Sequence, residues 1–168
     1  ARSVVERLET DGELTVRIVG SSRPETQEEF AQAISVAEHW RANFKGQYYH
    51  YNTLKIPHDG TVEGRTAAMF EDYQGEPGNS GQTVFTEDQL VAMITDAASR
   101  SIDVHVHALG ERAIHETLNA IEAAQASEPD SETRYTICHV QVITDQDVER
   151  FGKLGVIAQS TPLWASYD

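Results

Sequence analysis

The sequence contains a single cysteine, Cys138, so it cannot form a disulfide within the chain. No apolar run approaches the roughly 20 residues that a helix needs to cross a bilayer, so no transmembrane helix is predicted. Basic residues are scarce: 13 Lys and Arg stand against 27 Asp and Glu, for a formal net charge of −14. Nucleic-acid backbones and anionic membrane surfaces both attract basic patches, so we expect neither as a partner. We expect a cytoplasmic protein, since one unpaired thiol suits a reducing compartment.

The 168 residues suffice for one domain with a sizeable core, and short apolar runs alternate with amphipathic stretches. Predicted strands cover residues 14–19, 54–56, 102–109, 133–142 and 156–160. One predicted helix has Pro24 in its first turn, and three others follow Thr86, Gly110 and Thr144. Such alternation predicts parallel strands joined by right-handed helical crossovers. An open doubly wound sheet and a (β/α) barrel both satisfy this pattern.

Residues 58 to about 85 form a long polar stretch that contains Gly75, Gly78 and Gly81. Loops of this length inside compact domains are usually functional or disordered. We therefore assign residues 1–168 to a single domain that contains this long loop.

Two predicted strands carry histidines near their carboxyl ends. Side chains alternate along a strand, so His105 and His107 point the same way, which is inward in a barrel. His107 lies nearest the end of its strand, and His139 has the matching place on the next. Active sites of parallel barrels gather at these ends, and imidazole is the commonest metal-binding side chain. The residues alone leave two interpretations open, a metal site and hydrogen-bonded core histidines.

Lys55 and Cys138 lie near the same strand ends. For Lys55, at the end of the 54–56 strand, the ordinary interpretation is a solvent-facing lysine. Cys138 is next to His139 in sequence. Alternation places it on the opposite face, which favours packing over metal binding.

Four segments resemble a known family. Residues 107–113, HALGERA, are similar to the HAIGDRA signature of the third subfamily of the amidohydrolase superfamily, the YtcJ-like or AepA-like branch. Residues 54–67 resemble its VKIFADGSLGSRTA stretch, residues 134–141 resemble RHRIEHAQ, and residues 151–162 resemble RFAELGVIASMQP. The four segments occur in the family's order and extend over most of the chain.

The resemblance implies an α/β fold, a partial (β/α)8 barrel with about strands 3 to 7, as an internal piece of a longer chain. It also implies a metal-dependent hydrolase that cleaves the carbon–nitrogen, amide-type bond of a small molecule through metal-activated water. The expected cofactor is a divalent metal, one or two zinc ions in the complete protein. Carried over residue by residue, the metal ligands are Lys55, His107 and His139, and the lysine is often carboxylated in the family.

Two parts of the family's site have no counterpart in this sequence, the HxH pair of strand 1 and the aspartate of strand 8. The segment DVHVH at residues 103–107 also fits the strand-1 pattern, but its continuation GERA fits strand 5 better. No catalytic residue is therefore assigned, and we expect the isolated chain to be inactive. A catalytically silent barrel piece with a binding or regulatory role is the alternative.

Four residues beside the motifs are candidates for contacting a substrate: His58, Arg65, His105 and Arg112. Pro57-His58 replaces a typical Phe-Ala, which could bring His58 to the mouth of the site. For the two arginines, a structural salt bridge is the competing interpretation. A partial barrel also exposes two sheet edges, which invite pairing, so we expect the isolated chain to form a homodimer.

Overall fold

The computed structural model describes residues 2–44 and 46–161, in which five helices and five strands follow one another. The helices are α1 (Arg2–Thr10), α2 (Gln27–Asn43), α3 (Glu87–Ser99), α4 (Glu111–Ser127) and α5 (Asp145–Leu154). The strands are β1 (Ile18–Ser22), β2 (Tyr49–Pro57), β3 (Asp103–Ala108), β4 (Tyr135–His139) and β5 (Ile157–Gln159). Within these described ranges, every helix is too short or too polar to span a bilayer.

The five strands form one parallel sheet whose spatial order, β1-β2-β3-β4-β5, is also their order in sequence. A doubly wound sheet reverses its strand order at a switch point, whereas a barrel does not. One cavity of about 140 Å³ is lined from all five strands, by Val19, Thr53, His105, Thr136 and Ile157. Neighbouring strands lie about 4.8 Å apart, so a flat sheet of five strands would be too wide for all of them to line so small a cavity. The sheet must therefore curve around the cavity. The predicted α/β fold, a partial (β/α) barrel, is confirmed.

The core lies between the convex face of the sheet and the helices. Val104, Val106 and Ala108 of β3 are buried on this face. Apolar side chains of α3 and α4, among them Met93 and Leu118, are completely buried in the same cluster. The alternate residues of β3 are half-buried and face the concave side of the sheet. This alternation leaves His105 and His107 on the inner face, as predicted.

Threonine side chains cap three of the helices. Thr86 and Gln89 form the capping box predicted at the start of α3. Thr144 accepts a hydrogen bond from the N–H group of Asp147 at the start of α5. The second helix was expected to include Pro24 in its first turn, but α2 begins at Gln27 because Thr26 caps it.

Strand boundaries differ most at β1. The strand was expected at residues 14–19 and closed by Gly20, yet it runs Ile18–Ser22 with Gly20 inside it. A Cβ atom at Gly20 would lie 2.3 Å from the ring of Tyr51, so glycine makes room for this side chain. The neighbouring β2 also begins earlier than predicted, at Tyr49 rather than residue 54.

Helix α1 was not predicted. Its residue Glu9 accepts hydrogen bonds from the backbone N–H groups of Tyr48 and Tyr49, at 3.1 and 2.9 Å. These contacts join α1 to the start of β2, so its place depends on residues about 40 positions away in sequence.

The long connection between β2 and α3, residues 58–86, contains neither helix nor strand. Asp59, which is buried, holds it across the strand ends by accepting hydrogen bonds from the backbone of Ala68, Leu109 and Gly110. Burial raises the pKa of Asp59, and the backbone hydrogen bonds partly oppose this rise. The loop is therefore tied to the start of α4.

Candidate metal site

His107 and His139 meet at the carboxyl ends of β3 and β4. Their ring centroids are 4.7 Å apart, and the rings are inclined by 70° to each other. Ala108, not His107, is the residue directly paired with His139 across the two strands. Simple alternation would therefore turn the two histidines to opposite faces of the sheet.

The backbone of β4 explains why they meet. His139 has a φ of 81° and the next residue, Val140, a φ of 47°. Positive φ values are uncommon for residues other than glycine and are concentrated at functional sites. The change of backbone direction breaks the alternation at the last residue of the strand, and His139 thereby comes to lie beside His107.

Cys138 lies beside both histidines. This residue pairs directly with His107 in the sheet and is 4% exposed. One potential ligand atom from each of Cys138, His107 and His139 lies within 4.8 Å of the others. Cys138 was expected to pack on the opposite face from His139. That expectation assumed a regular strand through His139, which the structure does not have.

Lys55 lies on the same inner face, paired with His105 on the adjacent strand. Its Nζ atom donates a hydrogen bond to the Sγ atom of Cys138 at 2.7 Å. The structure thus brings all three residues predicted as metal ligands, Lys55, His107 and His139, to one region, with Cys138 between them.

His107 is fixed by the loop that follows β2. Its Nε2 atom lies 3.2 Å from the backbone oxygen of Gly60 and 3.7 Å from Oδ1 of Asp59. A histidine that binds metal usually donates its other ring N–H to a carbonyl or carboxylate, which fixes the tautomer. If Nε2 carries the proton toward Gly60, Nδ1 remains as the atom able to bind an ion.

The electrostatic environment lowers the pKa of two imidazoles, His139 and His105. Burial lowers the pKa of His139, and the neighbouring His107 and Lys55 lower it further. Burial likewise lowers the pKa of His105 to about 4, with contributions from Lys55, His139 and His107. Neutral imidazole is the form that binds metals, so these residues do not have to lose a proton near pH 7.

The donor set fits a zinc-like ion. Imidazole nitrogen and cysteine sulfur are ordinary zinc ligands, and a tetrahedral site holds such atoms about 3.4–3.6 Å apart. The potential ligand atoms of Cys138, His107 and His139, within 4.8 Å of one another, approach this spacing. Side-chain adjustments of about 1 Å would complete it.

The four substrate candidates do not lie together. His105 lines the inner face of the sheet, and its Nε2 atom is buried with no hydrogen-bond partner among the described residues. Arg65 is half exposed, pairs with Glu76 and lines a cavity of about 540 Å³ together with Gly60. That cavity adjoins the candidate site, because Gly60 also contacts His107.

His58 and Arg112 are directed elsewhere. His58 is completely buried beside Glu116 of α4, since even-numbered residues at the end of β2 face the helices. Arg112 donates hydrogen bonds to the backbone oxygens of Met69 and Gly81, at 3.0 and 3.2 Å. Both side chains therefore hold the loop against α4, and the structure does not bring either to the histidine pair.

Comparisons with known proteins identify the family of the chain. Residues 3–167 match the model of the Amidohydrolase family. YtcJ of Bacillus subtilis (strain 168) is 32% identical over 124 residues, which are 73% of this chain and 23% of YtcJ. The exoenzymes regulatory protein AepA of Pectobacterium carotovorum subsp. carotovorum is 30% identical over 145 residues, which are 81% of this chain and 30% of AepA. The chain thus spans less than a third of the length of either relative.

Two crystal structures of uncharacterized metal-dependent hydrolases have the same fold. The protein from Pyrococcus furiosus gives a TM-score of 0.74 at 27% identity, over 96% of this chain and 32% of that chain. The protein from Pyrococcus horikoshii OT3 gives a TM-score of 0.76 at 25% identity, over 96% of this chain and 31% of that chain. The family match covers nearly the whole sequence, and the chain therefore belongs to the amidohydrolase family.

Proposed function

We propose that this chain carries the metal-binding part of a hydrolase that cleaves the carbon–nitrogen, amide-type bond of a small molecule. The observation that supports this most directly is the meeting of His107 and His139 at adjacent strand ends, with ring centroids 4.7 Å apart. The two similar crystal structures are of metal-dependent hydrolases, and family membership favours the same chemistry here.

The proposed cofactor is zinc, as one or two ions held by His107 and His139. Lys55 in its carboxylated form is a further ligand predicted from the family resemblance. A divalent ion supplies Lewis-acid activation of the scissile carbonyl and of water.

Residues near the histidine pair orient the ligands or bind the substrate. The backbone oxygen of Gly60 accepts from His107 and fixes its ring. Arg65 and His105 are proposed to contact the substrate, Arg65 from the adjoining cavity and His105 from the inner face. A cytoplasmic location is proposed as well, because Cys138 is a free thiol.

Metal binding by the purified chain tests the proposal. After equilibration with Zn²⁺ and dialysis, elemental analysis should find bound zinc in the wild-type chain. His107→Ala and His139→Ala should each weaken binding by more than about 100-fold, since even residues that only orient ligands contribute 10- to 100-fold. His39→Ala is the matched control, because His39 is an exposed histidine of α2. Unchanged zinc binding in both site variants would contradict the proposal.

Hydrolysis itself has to be measured in a longer protein that contains this segment, since the chain spans less than a third of the relatives it matches. Loss of amide hydrolysis after chelation, with recovery on adding Zn²⁺, is the expected result. The name of AepA describes a regulatory protein, which favours a binding or regulatory role without catalysis as the second candidate. A metal-loaded long protein that hydrolyses no amide would favour this second candidate.

A further inference from the structure

We infer that the thiolate of Cys138 is a third protein ligand of the proposed ion, and that Lys55 donates a hydrogen bond to this sulfur instead of binding the metal as a carbamate. This inference rests on the proposed metal site at His107 and His139. It assigns a ligand that the family resemblance does not supply, because the motif RHRIEHAQ has glutamate at the position of Cys138.

The position of Cys138 is the first support. It stands directly opposite His107 across the β3–β4 pair and precedes His139 in the chain. The buried side chain of Cys138 faces the concave side of the sheet, where it contacts Lys55. Potential ligand atoms of all three residues lie within 4.8 Å of one another, close to the spacing of a tetrahedral site.

The chemistry of the set is the second support. Two imidazoles and one thiolate are three protein ligands, the number found in catalytic zinc sites that keep a fourth position open. Binding would form a metal–sulfur bond, break the S–H bond of Cys138 and release that proton to solvent. The thiolate would neutralise one of the two charges of the ion.

The contact with Lys55 is the third support. Its Nζ atom lies 2.7 Å from Sγ of Cys138, within reach for an amino group that donates to a sulfur. A carbamate on Lys55 would instead place a negative group against the sulfur. If Cys138 is the third ligand, Lys55 is an unmodified amine that donates to its sulfur. If Lys55 is the third ligand, it is a carbamate and cannot donate in this way.

Cobalt substitution separates them. Co²⁺ bound by a thiolate gives an intense sulfur-to-metal charge-transfer band in the near ultraviolet, whereas nitrogen and oxygen ligands give only weak visible bands. Cys138 is the only cysteine of the chain, so such a band in the wild-type protein identifies its sulfur without any variant. We expect the band in wild type, its loss in Cys138→Ser, and a Co²⁺ affinity weaker by at least about tenfold in that variant. Lys55→Met should keep the band.

The outcomes distinguish this inference from the proposed function. Co²⁺ bound through His107 and His139 without a charge-transfer band would overturn the inference and leave the proposed metal site standing. Failure of the wild-type chain to bind Co²⁺ or Zn²⁺ would overturn both. A carbamate resonance in the ¹³C NMR spectrum of metal-loaded protein, after equilibration with ¹³C-bicarbonate, would overturn the role given to Lys55, provided that Lys55→Met abolishes the signal.

Discussion

The Nε2 atom of His58 lies 3.1 Å from the Oε2 atom of Glu116, which joins the end of β2 to α4. His58 is completely buried, and Glu116 also contacts Arg112 one turn earlier in the helix, at 3.5 Å. Removal of one partner leaves a buried polar group unsatisfied, at a cost of about 1–3 kcal/mol. We predict that Glu116→Ala lowers the free energy of unfolding by this amount, measured by urea denaturation.

Glu122 provides the control on the same helix. It pairs with Arg150 at 3.0 Å, but its side chain is 63% exposed. Exposed ion pairs contribute about 0–1 kcal/mol, so Glu122→Ala should change stability little. Equal losses in the two variants would contradict the importance given to the buried pair.

The same carboxylate predicts a pH dependence. Burial raises the pKa of Glu116, but interactions with His58 and Arg112 outweigh this and lower it below its ordinary value of 4.5. Between the lowered folded pKa and 4.5 the unfolded state binds more protons, so this stabilisation is present above pH 4.5 and is lost as pH falls through the folded pKa. Urea denaturation from pH 7 to pH 3 should show the difference between wild type and Glu116→Gln shrinking at low pH. A difference that stays constant would exclude this contribution.

A pair of glycines tests how the long loop is seated. At Gly110, the residue before α4, an added Cβ atom would lie 2.1 Å from the backbone oxygen of Ala68. Gly110→Ala must therefore displace the loop or the start of α4, and we expect a loss of more than about 2 kcal/mol, within the range for overpacking.

Gly152 of α5 is the matched position, because an added Cβ atom there would meet no atom within 4 Å. Alanine inside a helix is favoured over glycine by about 1 kcal/mol, so Gly152→Ala should stabilise the chain. Thermal unfolding of both variants checks the pair, and a Gly110→Ala protein as stable as wild type would show that the loop yields freely.

Self-association of the isolated chain remains a prediction. Within residues 2–44 and 46–161, β1 and β5 form the edges of the sheet, and Val19 and Ile157 on these strands are 50% and 49% exposed. An inward-pointing charge on an edge strand discourages pairing, so Ile157→Lys should shift a dimer toward monomer in sedimentation velocity. Val148→Lys changes a similarly exposed residue of α5 and should leave the association unchanged. A monomeric wild-type chain at all concentrations would refute the prediction.

The sequence was sufficient to predict the alternation of strands and helices, because the apolar faces of β3, α3 and α4 have clear periods. The capping box at Thr86 was equally predictable, since it depends on residues three positions apart. The end of β1 was not predictable, because Gly20 stays inside the strand at a position where the ring of Tyr51 leaves no room for a Cβ atom. That contact is tertiary, and no local pattern encodes it.

The candidate site was also predictable only in part. Motif resemblance pointed to Lys55, His107 and His139, and alternation placed His105 and His107 on the inner face. The approach of His139 to Cys138 and His107 depends on the positive φ of His139, which no residue type at that position signals. His58 follows directly after β2, and its side chain continues the alternation of that strand toward the helices, so its direction was missed. Asp59 was inside a recognised motif, but two of its three backbone partners, Leu109 and Gly110, are 50 and 51 residues away in sequence.

The agreement between strand order in the chain and strand order in the sheet has a consequence for how such a site can diversify. Each strand end, with the loop that follows it, occupies its own sector of the rim at the carboxyl edge of the sheet. These sectors follow one another in the order of the sequence. A change of length or composition in a short loop, such as residues 23–26 after β1, alters one sector and leaves the others in place, whereas residues 58–86 also hold His107 through the backbone oxygen of Gly60. Selection can therefore change the residues of this rim one loop at a time, while the histidines of β3 and β4 keep their positions.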